Sequence, residues 1–241
     1  DWWYMHWGVF IYCIELWDMI QQAGLPGIKE RGFDFRLEPS EDAQLKLLSW
    51  NDEELDGTGF MDWTTFEHPQ LGEVEIGGWR DKYTMRNPPA KLLEDECEKT
   101  FKFALKLAEA LPLLRITETN IKQVGENLYQ VEVEVANEGF LPTNLSEQAL
   151  KMRKAKTVKV MIELGDGLEL VSGERIADLG HIEGRSDRLP GKPFYSIAGG
   201  KDEESVKKVR WTVHTEGLPS TVDITVESQK AGTIRERVEI K

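Results

Sequence analysis

Gly8-Val9-Phe10-Ile11-Tyr12-Cys13-Ile14-Glu15-Leu16-Trp17-Asp18 decides how the first half of the chain is read. Six largely apolar residues, Val9 to Ile14, run into a single carboxylate. Strict alternation would mark a strand with one wet face. An unbroken run this short predicts a strand covered on both faces, as in the middle of an α/β sheet. Such a strand delivers its last residue to the carboxyl end of the sheet, where open α/β sheets bind ligands. Glu15 stands at that place. A glutamate there is either a reactive group or a sheet-end residue held by a cation.

On the amino-terminal side, Trp2, Trp3, Tyr4 and Trp7 crowd into seven residues. They read as a core edge, as apolar surface left by truncation, or as a platform for stacking a ligand. His6 reads as a packed or hydrogen-bonded histidine. On the carboxyl side, Met19 to Ala23 predicts a short helix ended by Gly24 or Gly27. Ser40 caps a helix over Glu41 to Leu48, with Glu41 and Asp42 in its first turn. Asn51 to Gly59 is acidic and contains glycine: a solvated loop, a cation site or a second helix from Asp52. The spacing of Asp52, Glu54 and Asp56 resembles part of a calcium loop, but the later glutamate is absent. Around Val74-Glu75-Ile76 the Gly and Pro punctuation predicts one short strand flanked by turns. Glu73 and Glu75 would share one face, as surface carboxylates or as the rim of a cleft.

Pro88-Pro89 opens the clearest helix. Acidic residues fill its first half and Lys99, Lys102 and Lys106 follow, which suits the macrodipole. Leu93, Cys97, Phe101, Ala104 and Ala108 form one apolar stripe, and Pro112 ends the helix. From Leu113 the period switches to two. Leu114 and Ile116 begin a strand. Tyr129, Val131, Val133 and Val135 alternate with Gln130, Glu132 and Glu134, with the hairpin signal Gly125-Glu126-Asn127 between the two. Asn144 to Lys151 predicts one short capped helix. Further strands are expected at Val158 to Glu163, Leu168 to Val171, Val209 to His214, Val222 to Glu227 and Ile234 to Ile240. Strands at this spacing predict an immunoglobulin-like β-sandwich. Gly180 to Ser205 reads as a long loop.

The chain has 241 residues and a net charge of −13, which argues against nucleic acid and anionic membranes as partners. No apolar run is long enough to span a bilayer. There are 22 acidic and 11 basic residues through Pro112, and 21 and 19 after it. That shift and the change of period put a boundary between an α/β part, residues 1–112, and an all-β part, residues 113–241. Cys13 falls in the predicted buried strand and Cys97 on a helix. They read as two buried thiols, or as one bridge if their Cα atoms lie within about 7 Å.

Asp1-Trp2-Trp3-Tyr4, then His6, Gly8 and Cys13-Ile14-Glu15-Leu16-Trp17-Asp18, resemble the last part of the catalytic domain of zinc metallocarboxypeptidases of the carboxypeptidase A type. That family shows an Asp-Trp-x-Tyr segment, then a strand ending in a Glu-Leu-x-Asp-like motif, at the spacing found here. His68-Pro69-Gln70-Leu71-Gly72-Glu73-Val74-Glu75-Ile76-Gly77-Gly78-Trp79, with Asn87-Pro88-Pro89, resembles the bacterial branch. The resemblance implies an α/β mixed sheet with the helix after Pro89 packed on it. It implies that Glu15 is the catalytic glutamate and that Cys13, two residues earlier, lies beside the pocket for the substrate's terminal side chain.

It also implies zinc, held by a His-x-x-Glu pair and a later His upstream of Asp1, together with the arginines and the tyrosine that bind substrate. His6, His68, His181 and His214 have no Glu three residues later and no His at helical spacing. In the implied reaction zinc activates water and Glu15 takes the water's proton and passes it to the leaving amine. The substrate is the carboxy-terminal residue of a peptide. The expectation is the terminal portion of a secreted or periplasmic enzyme, with an accessory sandwich and with the upstream part of the catalytic domain as its partner. The 241-residue chain alone is expected to be inactive. Residues 1–18 are expected to need partner strands or to lie unusually exposed. The alternative is a sandwich that binds protein or glycan beside a structural remnant of a catalytic domain.

Overall fold

The computed structural model describes residues 1–14, 16–26, 40–185 and 205–241. These form two compact units. One comprises Cys13–Leu105; the other joins Asp1–Tyr12 to Lys106–Lys241.

Within Cys13–Leu105, α2 (Met19–Gln22) is capped by Asp18, whose Oδ1 accepts from the amides of Ile20 at 3.1 Å and Gln21 at 3.3 Å. Ser40 caps α3 (Glu41–Leu55) as expected. That helix runs on through the acidic stretch: Asp52 and Glu54 lie within it, and Asp56 ends it in the left-handed region at φ 52°. Met19, Ala23, Leu47, Trp50 and Leu55 form a small core, with Trp17, Trp79 and Leu92 packed against it. Buried Asn51 ties helix to strand, because its Oδ1 accepts from the Gly59 amide at 2.7 Å. A Cβ on Gly59 would fall 2.5 Å from that oxygen. Asn51→Ala leaves the Gly59 N–H buried without its acceptor, at an expected cost of about 1–3 kcal/mol in a denaturant titration; a loss under 0.5 kcal/mol would refute this.

The single short strand expected around Val74 is half of an antiparallel hairpin, β1 (Phe60–His68) and β2 (Gly72–Trp79). His68 Nδ1 accepts from the amides of Gln70 at 3.2 Å and Leu71 at 3.3 Å and so closes the turn. α4 (Ala90–Glu109) forms as the Pro88-Pro89 signal predicts, but no residue of it is buried and Phe101 is 61% exposed.

The expected central strand is not formed. Residues 9–14 are irregular, and Phe10, Ile11, Tyr12 and Ile14 are all exposed. A strand interior to a sheet needs hydrogen-bonding neighbours on both sides, and no described strand pairs with this segment. Every strand pair among the described residues is antiparallel, so they carry no α/β mixed sheet. The six residues before Gly8 form a helix instead, α1 (Trp2–Trp7), closed by Gly8 at φ 65°.

The second unit is a β-sandwich of two four-stranded antiparallel sheets. One orders β3 (Leu114–Gly125), β4 (Leu128–Asn137), β8 (Val206–Thr215) and β6 (Leu168–Ser172). The other orders β10 (Gly232–Ile240), β9 (Ser220–Ser228), β5 (Val158–Leu164) and β7 (Ile176–Gly180). Alternate residues point inward. Val131, Val133 and Val135 of β4 and Trp211 and Val213 of β8 meet Val158, Val160 and Ile162 of β5 and Val222, Ile224 and Val226 of β9 in one core. β7, Ile176-Ala177-Asp178-Leu179-Gly180, was not among the expected strands. The β3–β4 turn falls at Gly125 to Asn127, with Asn127 at φ 58°. The expected helix is α5 (Glu147–Lys151), capped by Ser146.

Candidate functional site

The outer faces of the sandwich carry cross-strand ion pairs. Glu132 and Arg210 lie opposite each other in the β4–β8 register, and Arg210 Nε donates to Glu132 at 2.9 Å. The Arg210 hydrogen bond holds the Glu132 carboxyl below the usual range. Next to them Lys208 approaches buried Glu134 at 3.3 Å. On the other sheet Arg237 forks onto Asp223, with bonds of 2.7 and 2.9 Å, and lowers that carboxyl too. Directly opposed charges of this kind fix register more than they add stability.

Asp178 is an acceptor for the Thr157 hydroxyl at 2.7 Å and the Gly180 amide at 2.8 Å, and these bonds lower its pKa. Burial lowers the pKa of the nearby His181, partly offset by the Asp178 charge. The unfolded chain therefore takes up a proton at His181 before the folded one does. The sandwich should lose stability as the pH falls below about 6.5, and again when Asp178 is protonated below about 4. We expect the melting temperature to fall between pH 7.5 and 5.5, and to fall less in His181→Gln; equal falls would exclude His181.

The residues singled out in the first half are placed as follows. Glu15 lies outside the described residues. Cys13 sits in the irregular segment before it. Both Cys13 and Cys97 are exposed thiols, which corrects the expectation that they are buried. His6 packs on Trp2 at 4.9 Å, and His68 serves the hairpin turn. Among the described residues no three of His, Cys, Asp and Glu gather closely enough to hold a metal ion. They do not fit a zinc site, and no catalytic step through zinc can be derived from them. Among them, too, no helix is long and apolar enough to cross a membrane.

One grouping was not readable from the sequence. The α5 corner of the sandwich touches the aromatic segment at the start of the chain. The Ser146 hydroxyl donates to the Gly8 carbonyl at 2.5 Å, across 138 positions of sequence. Gln148 Nε2 donates to the Met5 carbonyl at 3.0 Å, and the Lys154 ammonium lies 4.8 Å from the centre of the Trp7 ring. Capping preferences mark Ser146, but nothing in the local pattern pairs it with Gly8.

The sandwich coincides with a known family. A family model described as a domain of unknown function, DUF8731, matches residues 113–239, just over half of the chain. The chain belongs to the DUF8731 family. The DUF8731 match begins one residue before β3 and ends within β10. Among solved structures, the GAE domain of GGA2p from Saccharomyces cerevisiae is similar at a TM-score of 0.29 and 9% identity, covering 53% of this chain and 88% of that one. A search of curated proteins finds no match.

Proposed function

We propose that the chain is the carboxy-terminal portion of a zinc-dependent carboxypeptidase, with the DUF8731 sandwich as its accessory domain. The observation that carries this reading is the ordered motif series from Asp1-Trp2-Trp3-Tyr4 through Glu15 to Asn87-Pro88-Pro89. The uncovered apolar surface before the sandwich supports it. α1 holds three tryptophans and a tyrosine without one buried residue, and Trp63 of β1 is 60% exposed. α4 likewise presents its whole apolar stripe. Surface of this kind ordinarily meets a partner, and the upstream part of a catalytic domain is a partner of the right chemistry.

In this reading Glu15 takes a proton from the attacking water and returns it to the leaving amine. Cys13 lies beside the pocket for the substrate's terminal side chain. Zinc supplies the polarisation of the scissile carbonyl, with ligands from outside this chain. The expected location is secreted or periplasmic. Release of carboxy-terminal residues from a peptide by the complete enzyme, and its loss in Glu15→Gln, tests the reading. The 241-residue chain alone should release none.

A further inference from the structure

A strand at the edge of a sheet presents backbone N–H and C=O groups that can pair with another chain. The sandwich has four edges, β3, β6, β7 and β10. Three of them are guarded. β6 and β7 are only five residues long. In β10, Glu236 shares the period of Ile234, Val238 and Ile240, which face the core, and an inward-pointing charge resists edge pairing. β3 is 12 residues long, and among the described residues no strand pairs with its outer side.

The register of β3 with β4 is unbroken from Glu118 to Gln123, between irregularities at either end. Thr119 and Ile121 stand opposite Val133 and Val131 of the core, so Glu118, Asn120 and Lys122 point to the outer face, where all three are exposed. Neither charge is matched within the sheet. Glu118 stands opposite Glu134, whose carboxylate already meets the Thr117 hydroxyl at 2.7 Å and Lys208 at 3.3 Å. Lys122 stands opposite neutral Gln130. Among the described residues neither Glu118 nor Lys122 forms an ion pair.

We propose that the β3 edge pairs with the β3 edge of a second copy of this chain. When two such strands run antiparallel about a twofold axis at Asn120, Glu118 of each copy lies directly opposite Lys122 of the other. Two ion pairs then form on the outer face, and Thr119 meets Ile121 on the inner one. A parallel, in-register pairing would set Glu118 against Glu118. A twofold interface requires this self-complementarity, in which one residue meets a second and the second meets the first. The four-stranded sheet of each copy becomes half of one continuous antiparallel sheet. The pairing uses the sandwich alone and does not rest on the carboxypeptidase reading.

So short a run of paired backbone makes a small interface, and the Kd should be on the order of 100 μM. Sedimentation equilibrium of the 241-residue chain tests this. At about 0.15 M salt the net charge of −13 on each copy is screened beyond about 8 Å, while contacting pairs still act. Glu118→Lys and Lys122→Glu each turn both ion pairs into like-charge pairs, and each should weaken the dimer at least roughly tenfold. Both positions are exposed, so the circular dichroism spectrum should stay that of the parent. Mixed together, the two variants are complementary again and should form a heterodimer at close to the parental affinity. Association through apolar surface would not follow these exchanges of charge.

A chain that stays monomeric up to about 1 mM would overturn the proposal. So would a dimer that either charge reversal leaves intact, or a mixture of the two variants that forms no heterodimer.

Discussion

Trp211→Ala will lower the stability of the sandwich by about 3–5 kcal/mol, the range for removing a large aromatic from a closed core. The indole is 1% exposed, on the strand β8 between β4 and β6. It stands opposite Val131, and its N–H donates to the Glu174 carbonyl at 2.7 Å. It also packs on the bare backbone of Gly173, where a Cβ would come within 2.6 Å of Trp211 Cδ1. Alanine forfeits the apolar contact and the hydrogen bond, and leaves a cavity between two sheets that cannot close independently. Against a total of about 5–15 kcal/mol, the urea midpoint should fall by roughly 2 M. Far-ultraviolet circular dichroism is the appropriate probe, since the substitution removes a fluorophore. Val171→Ala, on an exposed position of β6, should stay within about 0.5 kcal/mol. A Trp211→Ala loss under 1 kcal/mol would mean that the two sheets do not share the core described.

On the proposed carboxypeptidase reading, Glu15→Gln in the complete protein should lower kcat by about 10²–10⁴-fold, the usual contribution of a positioned general base. Glutamine matches glutamate in size and can still accept a hydrogen bond, but it cannot take up the water's proton. KM should change little, because the loss falls on the transition state. Peptide hydrolysis followed by release of the terminal amino acid gives both constants. Undiminished kcat would remove Glu15 from the reaction and favour the alternative, in which the sandwich recognises protein or glycan and the preceding unit is structural.

The two halves were legible to different degrees for physical reasons. In the sandwich, period-two runs such as Tyr129 to Val135 bury one face of every strand, so local pattern and tertiary environment coincide. Ser40 and Pro89 mark helix starts through bonds or backbone angles set within three or four residues. The site was less legible. An apolar run such as Val9 to Ile14 states only that it seeks cover, and the same run is a strand or an irregular exposed segment according to which neighbours supply hydrogen bonds. The hairpin was half read because Phe60 to Phe66 mixes apolar and polar residues without a clean period, and only β2 opposite makes it a strand.

The sequence by itself determined the alternation of the sandwich strands, the helices that begin after Ser40 and Pro89, and the acidic balance. These depend on side-chain chemistry and on spacings of a few residues. Only the tertiary structure decided that Phe10, Ile11, Tyr12 and Ile14 are exposed, that no residue of the α4 stripe is buried, and that Ser146 holds Gly8. Each of these depends on which groups meet in the folded chain, 138 positions apart for Ser146 and Gly8, and no local pattern encodes that.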